Sequence, residues 1–472
     1  MSDNGVVENI KKTQDTPEDD KESHVQDLLS KEAHISEDAD SGLGWIIVFA
    51  SFFNHVMFFG INLSFGVIYV VLLDYFDTKR GDTAWIGSIP TGILGIVSPV
   101  TGILTDKYGC RTVTISGSVI ASSGFVISSF APNIDILYIS YGVLVGIGLG
   151  LMYLPSKVIV NQYMKKRRAL ANGICSSGGG VGTMAFAAMF QTLNAAYGFR
   201  GMFLISGAVV LNAAVCGALY RPKKQGHRKT PPLLDGASDL QIKDKVCCKI
   251  SPIQGYTHLL HNIQYCLFIF GNALATIGIF VPFAHLPRRA RDLQVPEHQV
   301  VWLLPMIGFS SVAGRLFFGW IGDFSCVNIK VLWAWSNILC GFCVIVCPFL
   351  TSFPLLMGFA AIFGPLSGMW TGLKTVALVD VVGVENLGKA LGLMMFAQGF
   401  SGFISSPLAG WLYDVTGTYA ASFYTAGALF ICGGIMVLSQ MKLRNVCKQR
   451  GPDGVEVQFT VVNVVDPVKC DD

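Results

Sequence analysis

Residues 136–160 read ILYISYGVLVGIGLGLMYLPSKVIV, and no charge interrupts them before Lys157. A helix rises about 1.5 Å per residue, so a block of this length spans the roughly 30 Å hydrocarbon layer of a bilayer. Blocks of the same kind recur along the chain, and they set its composition. Of 472 residues 52% are apolar and only 14% are charged, and mean hydropathy is +0.52. Soluble domains carry about 25% charged residues, which excludes a single water-soluble core. The net charge of +3 gives no electrostatic case for a nucleic-acid partner.

Apolar blocks bounded by charge or turn residues number twelve, at 44–73, 84–105, 112–131, 136–160, 169–192 and 201–220, then 263–286, 300–322, 331–351, 353–379, 390–413 and 420–440. The fold class they predict is an all-α membrane protein with twelve transmembrane helices in two six-helix bundles, 42–220 and 263–440. Residues 1–41 are acidic and poor in large apolar side chains, a composition expected to stay disordered. No short apolar stretch with a basic flank opens the chain, so the first span is expected to direct insertion itself. Residues 221–262, rich in lysine and with Pro231 and Pro232, read as a linker, and 441–472 as a tail. With the amino terminus in the cytosol, inner loops hold sixteen Lys and Arg against six outside, which predicts cytosolic termini. Thirteen cysteines lie mostly within apolar blocks or in these inner segments, so no disulfide framework is expected. Cys340, Cys343 and Cys347 share helical spacing without a nearby His or carboxylate, and read as packing residues rather than a metal site.

The two halves echo each other. Gly102, Leu104, Asp106, Gly109 and Arg111 spell GxLxDxxGxR after the second span, and Gly319, Ile321 and Asp323 spell GxIxD after the eighth, 217 residues later. Arg168, Ala169 and Leu170 are echoed by Lys389, Ala390 and Leu391, 221 residues on. Such parallel repeats mark the major facilitator architecture, whose substrate site lies between the halves near the bilayer midplane. The motif's glycines suit a short turn between helices. Its aspartates, Asp106 and Asp323, suit capping a helix or pairing with Arg111, and so locking one closed state.

Two further stretches carry a family resemblance. Asp40 to Trp45 read DSGLGW, keeping Asp40, Gly44 and Trp45 of a DGGWGW-like opening. Residues 162–173 read QYMKKRRALANG, with Arg167 and Arg168 in the place of the paired arginines of a YFxxRRxLAxG pattern. In both, over residues 40 to 440, the chain resembles the monocarboxylate transporters (solute carrier family 16) of the major facilitator superfamily. Residues 84–88 (AWIGS) and 128–133 (SSFAPN) look like members associated with creatine or carnitine rather than lactate.

Charged groups within a span are costly and become functional candidates by default. Arg315, deep in the eighth span, is the foremost: a guanidinium holds a carboxylate through two parallel hydrogen bonds. The resemblance implies that an arginine at this position engages the substrate carboxylate. The alternative is that Arg315 pairs with a backbone carbonyl or an acid of another helix. Proton-coupled members carry an aspartate one turn earlier and a lysine in the first span, where this chain has Ser311 and Leu63. His55 is then the remaining candidate proton group, unless it is hydrogen-bonded to a neighbouring helix. Lys157 and Lys374 are repeat partners, 217 residues apart. They either form a positive vestibule for anions or snorkel to the membrane surface. Asn62, with Asn54 and Ser64, and Trp370, with Thr371, are candidate pocket lining.

The function expected is a secondary carrier of the plasma membrane that moves a small organic anion or zwitterion bearing a carboxylate by alternating access, facilitative or differently coupled because the usual Asp and Lys are missing. Proton-linked symport of lactate or pyruvate is the alternative. A non-transporting membrane sensor or scaffold is the alternative from another class. No span holds a paired acid and base, so enzyme activity is not expected, nor is a cofactor. The partners expected are the substrate and the lipid bilayer, and the need for an accessory single-span glycoprotein stays open.

Overall fold

A computed structural model describes residues 42–77, 80–221, 252–416 and 418–449. The expected acidic tail, with Asp40, most of the linker and most of the carboxyl tail lie outside the described residues.

The chain runs through α1 (Gly42–Leu63), α2 (Phe65–Phe76), α3 (Arg80–Ser129) and α4 (Ile134–Leu137), then a π-helical stretch (Tyr138–Val145) continuing into α5 (Gly146–Tyr163). After α6 (Arg168–Leu211) and α7 (Ala213–Ala218) come α8 (Pro252–His261) and α9 (Ile263–Asp292). The remainder is α10 (Glu297–Val300), α11 (Leu303–Gly322), α12 (Ile329–Val346), α13 (Phe353–Val382), α14 (Leu387–Thr416) and α15 (Tyr419–Gln449). Among the described residues ten helices are long and apolar enough to cross a membrane. Two are far longer than one crossing needs, 45 residues over Trp85–Ser129 and 51 over Arg168–Ala218. Each is broken by a glycine in a non-helical conformation, Gly109 at φ 81° and Gly198 at φ 66°. Only glycine takes such angles without steric cost, so the chain turns back there, and dividing the two long helices at these points yields the twelve crossings expected. Gly109 belongs to the GxLxDxxGxR motif; it is the turn glycine of that motif. The first span is also divided. At Ser64 the helix breaks, and the Ser64 hydroxyl donates to the Thr183 carbonyl of α6 at 2.9 Å.

Within the amino-terminal half α3 packs on α5, and α1 on α6; within the carboxyl-terminal half α11 packs on α13, and α15 on both α9 and α12. The run Ser176 to Gly180 lets α1 and α6 touch at the backbone: a Cβ at Gly178 would stand 2.6 Å from the Phe52 carbonyl oxygen. Close approach of this kind replaces the hydrophobic drive that lipid does not supply. The three helical cysteines are core atoms in α12 and its end, Cys340 and Cys347 fully enclosed and Cys343 half-buried. The halves meet along two seams, α3 with α14 and α6 with α11. The repeat relates the two seams, and the candidate site lies between them.

Candidate functional site

At one end of the bundle the two motif aspartates tie the halves together. Asp323, just beyond α11, accepts the backbone N–H of Ala169 at 2.7 Å and of Leu170 at 2.9 Å, at the start of α6. These are among the first amides of a helix and have no partner of their own within it, so a carboxylate there satisfies them and meets the positive end of the helix dipole. Asp106 occupies the related place at the start of α14, where it forms an ion pair with Lys389 at 3.7 Å. Its partner is therefore in the opposite half, whereas Arg111 is exposed. Gly102 and Gly319, the other motif glycines, make no turn. A Cβ at Gly102 would stand 2.6 Å from the Gly388 carbonyl oxygen, and one at Gly319 3.0 Å from that of Ala169. They let the carboxylates reach the opposite half. Arg167 is the residue before α6 and is exposed, and Arg168 is half-buried with its Nε donating to the Met164 carbonyl at 3.1 Å. Gly44 is buried against Met164, and Trp45 packs at the edge of the core. Helix α8 lies across the same end: the Tyr256 hydroxyl donates to the Pro99 carbonyl at 2.6 Å. Burial pushes that hydroxyl up to about 12, which keeps it a donor throughout the physiological range.

Away from that end, the buried charges gather between the halves. Arg315 projects from α11, its Nε donating to Thr371 Oγ1 of α13 at 3.1 Å and one terminal nitrogen donating to the Ser176 carbonyl of α6. The guanidinium thus bridges the two halves. Two of its five N–H donors are engaged, which leaves three for a ligand. Of the alternatives the sequence left open, a backbone carbonyl of another helix is the partner seen, and among the described residues no acid pairs with Arg315. The residue keeps part of its surface accessible, unlike Lys157, which is 1% exposed.

Lys374 and Lys157 do not snorkel. Lys374 Nζ donates to Gln398 Oε1 at 3.2 Å and lies 5.2 Å from the Trp370 ring centroid. Gln398 in turn donates towards Thr276 Oγ1 at 3.4 Å and Asn272 Oδ1 at 3.5 Å, which fixes its amide. Lys157 Nζ lies 5.9 Å from the Tyr153 ring. His55 is fully buried beside Tyr153, their ring centroids 5.0 Å apart. Its Nδ1 meets the Ser51 carbonyl of its own helix at 2.7 Å, not a neighbouring helix, and its Nε2 is buried without a partner. Asn54 Nδ2 donates to the Tyr220 hydroxyl at 2.6 Å. Asn62 spends its amide on the Phe58 carbonyl one turn back, at 2.9 Å. Of the positions where proton-coupled relatives carry charge, Ser311 is buried and Leu63 is 59% exposed.

Arg315, Lys157, Lys374 and His55 are thus brought into one electrostatic neighbourhood. Three of its other members lay outside the sequence reading: Tyr153, Gln398 and the Ser176 carbonyl. Gln398 had a signal, being an amide in the apolar run LMMFAQGF. The other two are set by packing.

A pseudo-symmetric twelve-helix bundle with a polar site between its halves defines a membrane transporter, and the comparisons agree. The Major Facilitator Superfamily model matches residues 45–288 and 265–456. In fold the chain is similar to the fucose:proton symporter of E. coli, with a TM-score of 0.65 at 12% identity over 84% of this chain and 98% of that one. It is equally similar to a human organic anion transporter, at 0.64 and 13% over 84% and 99%. Human monocarboxylate transporter 14 is 31% identical over 87% of this chain and 93% of its own length. Monocarboxylate transporter 12 of Xenopus laevis is 33% identical over 85% and 90%, and monocarboxylate transporter 9 of Pongo abelii 30% over 90% and 98%. The chain belongs to the monocarboxylate transporter family of the major facilitator superfamily. It is a multi-pass membrane transporter and not an enzyme.

Proposed function

We propose that the protein is a secondary carrier of the plasma membrane, with cytosolic termini, that moves a small carboxylate-bearing molecule by alternating access and without proton coupling. The observation that carries this is Arg315: a guanidinium set between the halves, bonded to both, with donors to spare and no acid paired with it among the described residues. A carboxylate entering between the halves takes those donors as a bidentate pair, and the bridge to Ser176 is the contact it replaces or joins. Lys374, held by Gln398, and Lys157 add positive charge to the same space, with Trp370 as a wall.

Alternating access needs an end that opens. The Asp323 cap and the Asp106–Lys389 pair are the bonds to be broken there, and Gly102 and Gly319 are the places where the halves separate. Facilitative transport is supported by Ser311 and Leu63 and by burial of no aspartate or glutamate among the described residues. His55, with its unpartnered Nε2 beside Tyr153, supports the proton-linked reading in second place. The test is uptake of radiolabelled lactate, pyruvate and creatine into cells expressing the chain, at outside pH 6 and 7.5, with and without a protonophore. Saturable carboxylate uptake insensitive to both is expected. Uptake that rises at pH 6 and collapses with the protonophore contradicts the facilitative reading and directs attention to His55.

A further inference from the structure

We infer that the basic cluster between the halves is built for two negative charges, so that its ligand is a short dicarboxylate, or a carboxylate with a second anionic group, in preference to a monocarboxylate or a zwitterion. The inference rests on the proposed role of Arg315 and deepens it.

Charge balance is the argument. Every buried charged side chain among the described residues is basic, Lys157 at 1% and Lys374 at 8% exposure, and the half-buried Arg315 shares their neighbourhood. A buried cation ordinarily has an acid near it, because its mutual attraction with the acid offsets lost hydration. Here Lys157 lies against an aromatic ring, while Lys374 has one amide oxygen and an aromatic ring. A cation–π contact replaces only a small part of an ammonium's hydration. The three basic groups also lie within each other's field. A single carboxylate on Arg315 therefore leaves two basic side chains without an anionic partner among the described residues.

Geometry divides the site into two centres. Arg315 is bonded to Thr371, and Lys374 is three residues further along α13, about 4.5 Å of axial rise and on nearly the same face. The Gln398 network holds Lys374 from behind, so its ammonium is positioned rather than free to swing. A molecule with two anionic groups a few bonds apart reaches both centres. A zwitterion that seats its carboxylate on Arg315 brings its own cation towards Lys374 and Lys157, and like charges in a low-dielectric site repel strongly.

The test uses the full chain in proteoliposomes at pH 7.5, with radiolabelled malonate, succinate, lactate and creatine. Uptake per unit concentration at least tenfold greater for malonate or succinate than for lactate, with creatine lowest, is expected. Preference for lactate or creatine over both dicarboxylates overturns the two-charge site and leaves the carboxylate role of Arg315 standing. Absence of saturable uptake or binding for every carboxylate overturns both. Lys374→Gln and Lys157→Gln are expected to lower the succinate-to-lactate selectivity at least tenfold, with recovery in Lys374→Arg. An unchanged ratio in correctly inserted variants contradicts the proposal. The wild-type selectivity decides the matter should a variant fail to insert.

Discussion

Replacing Asp323 with alanine removes the acceptor of two backbone amides that have no other partner in their helix. Hydrogen bonds to a charged group contribute about 1.5–3 kcal/mol each. Asp323 keeps part of its surface in solvent, so the lower figure applies, and two bonds at 2.7 and 2.9 Å amount to about 3 kcal/mol. At 1.4 kcal/mol per tenfold, the closed arrangement of this end loses roughly 100-fold in its equilibrium constant. The same change at Asp106 weakens far less, because its partner is a single ammonium at 3.7 Å and both side chains are a quarter or more exposed, 25% and 31%. Such a pair contributes about 0–1 kcal/mol. Hydrogen–deuterium exchange in nanodiscs reads the difference at the residues concerned. In Asp323→Ala the amides of Ala169 and Leu170 exchange roughly 100-fold faster, in Asp323→Asn roughly tenfold, and in Asp106→Asn the amides at the start of α14 change less than about fivefold. Protection at Ala169 and Leu170 that survives Asp323→Ala within twofold refutes the capping argument.

Further perturbations test other parts of the account. Gly109→Ala places a side chain at φ 81°, ψ 159°, a region that costs about 1–3 kcal/mol for residues other than glycine, so thermal stability in detergent falls while the spans still insert. Gly319→Leu forces the α6–α11 seam apart, since even a Cβ there meets the Ala169 carbonyl oxygen at 3.0 Å; uptake is lost with surface expression retained. His55→Gln leaves the pH dependence of uptake unchanged if transport is facilitative, and removal of an existing pH dependence by that variant assigns the proton to His55. Gln398→Leu deprives Lys374 Nζ of its 3.2 Å acceptor and raises the substrate KM severalfold, with a smaller effect on maximal rate.

What was legible in the sequence follows from what local composition encodes. Twelve crossings could be counted because hydrocarbon thickness imposes a length on every span, and the turn at Gly109 lay within a motif that already named it. The repeat placed Asp106 and Asp323 at related positions. It did not show their partners, since Lys389 and the amides of Ala169 and Leu170 belong to the opposite half. Arg315 stood out because charge is rare in a span. Its bond to the Ser176 carbonyl is invisible in sequence, because every residue carries a carbonyl and only packing decides which one faces the guanidinium. Tyr153 was hidden for a related reason: an aromatic residue in an apolar helix looks the same whether it faces lipid, core or cavity. Asn62 is a local case: one N–H of its amide bonds back to the Phe58 carbonyl one turn earlier in its own helix, a contact that helical spacing alone allows.

The role of Arg315 is the central claim, and equilibrium binding tests it without the complication of turnover. Purified protein is titrated with the best radiolabelled carboxylate in a scintillation proximity assay, comparing wild type, Arg315→Lys and Arg315→Gln at matched amounts of folded protein. Loss of a charged partner of this kind costs about 2–5 kcal/mol, so affinity falls roughly 30-fold or more in Arg315→Gln, with Arg315→Lys between the two. Binding by Arg315→Gln within threefold of wild type contradicts the account and removes the guanidinium from the substrate site.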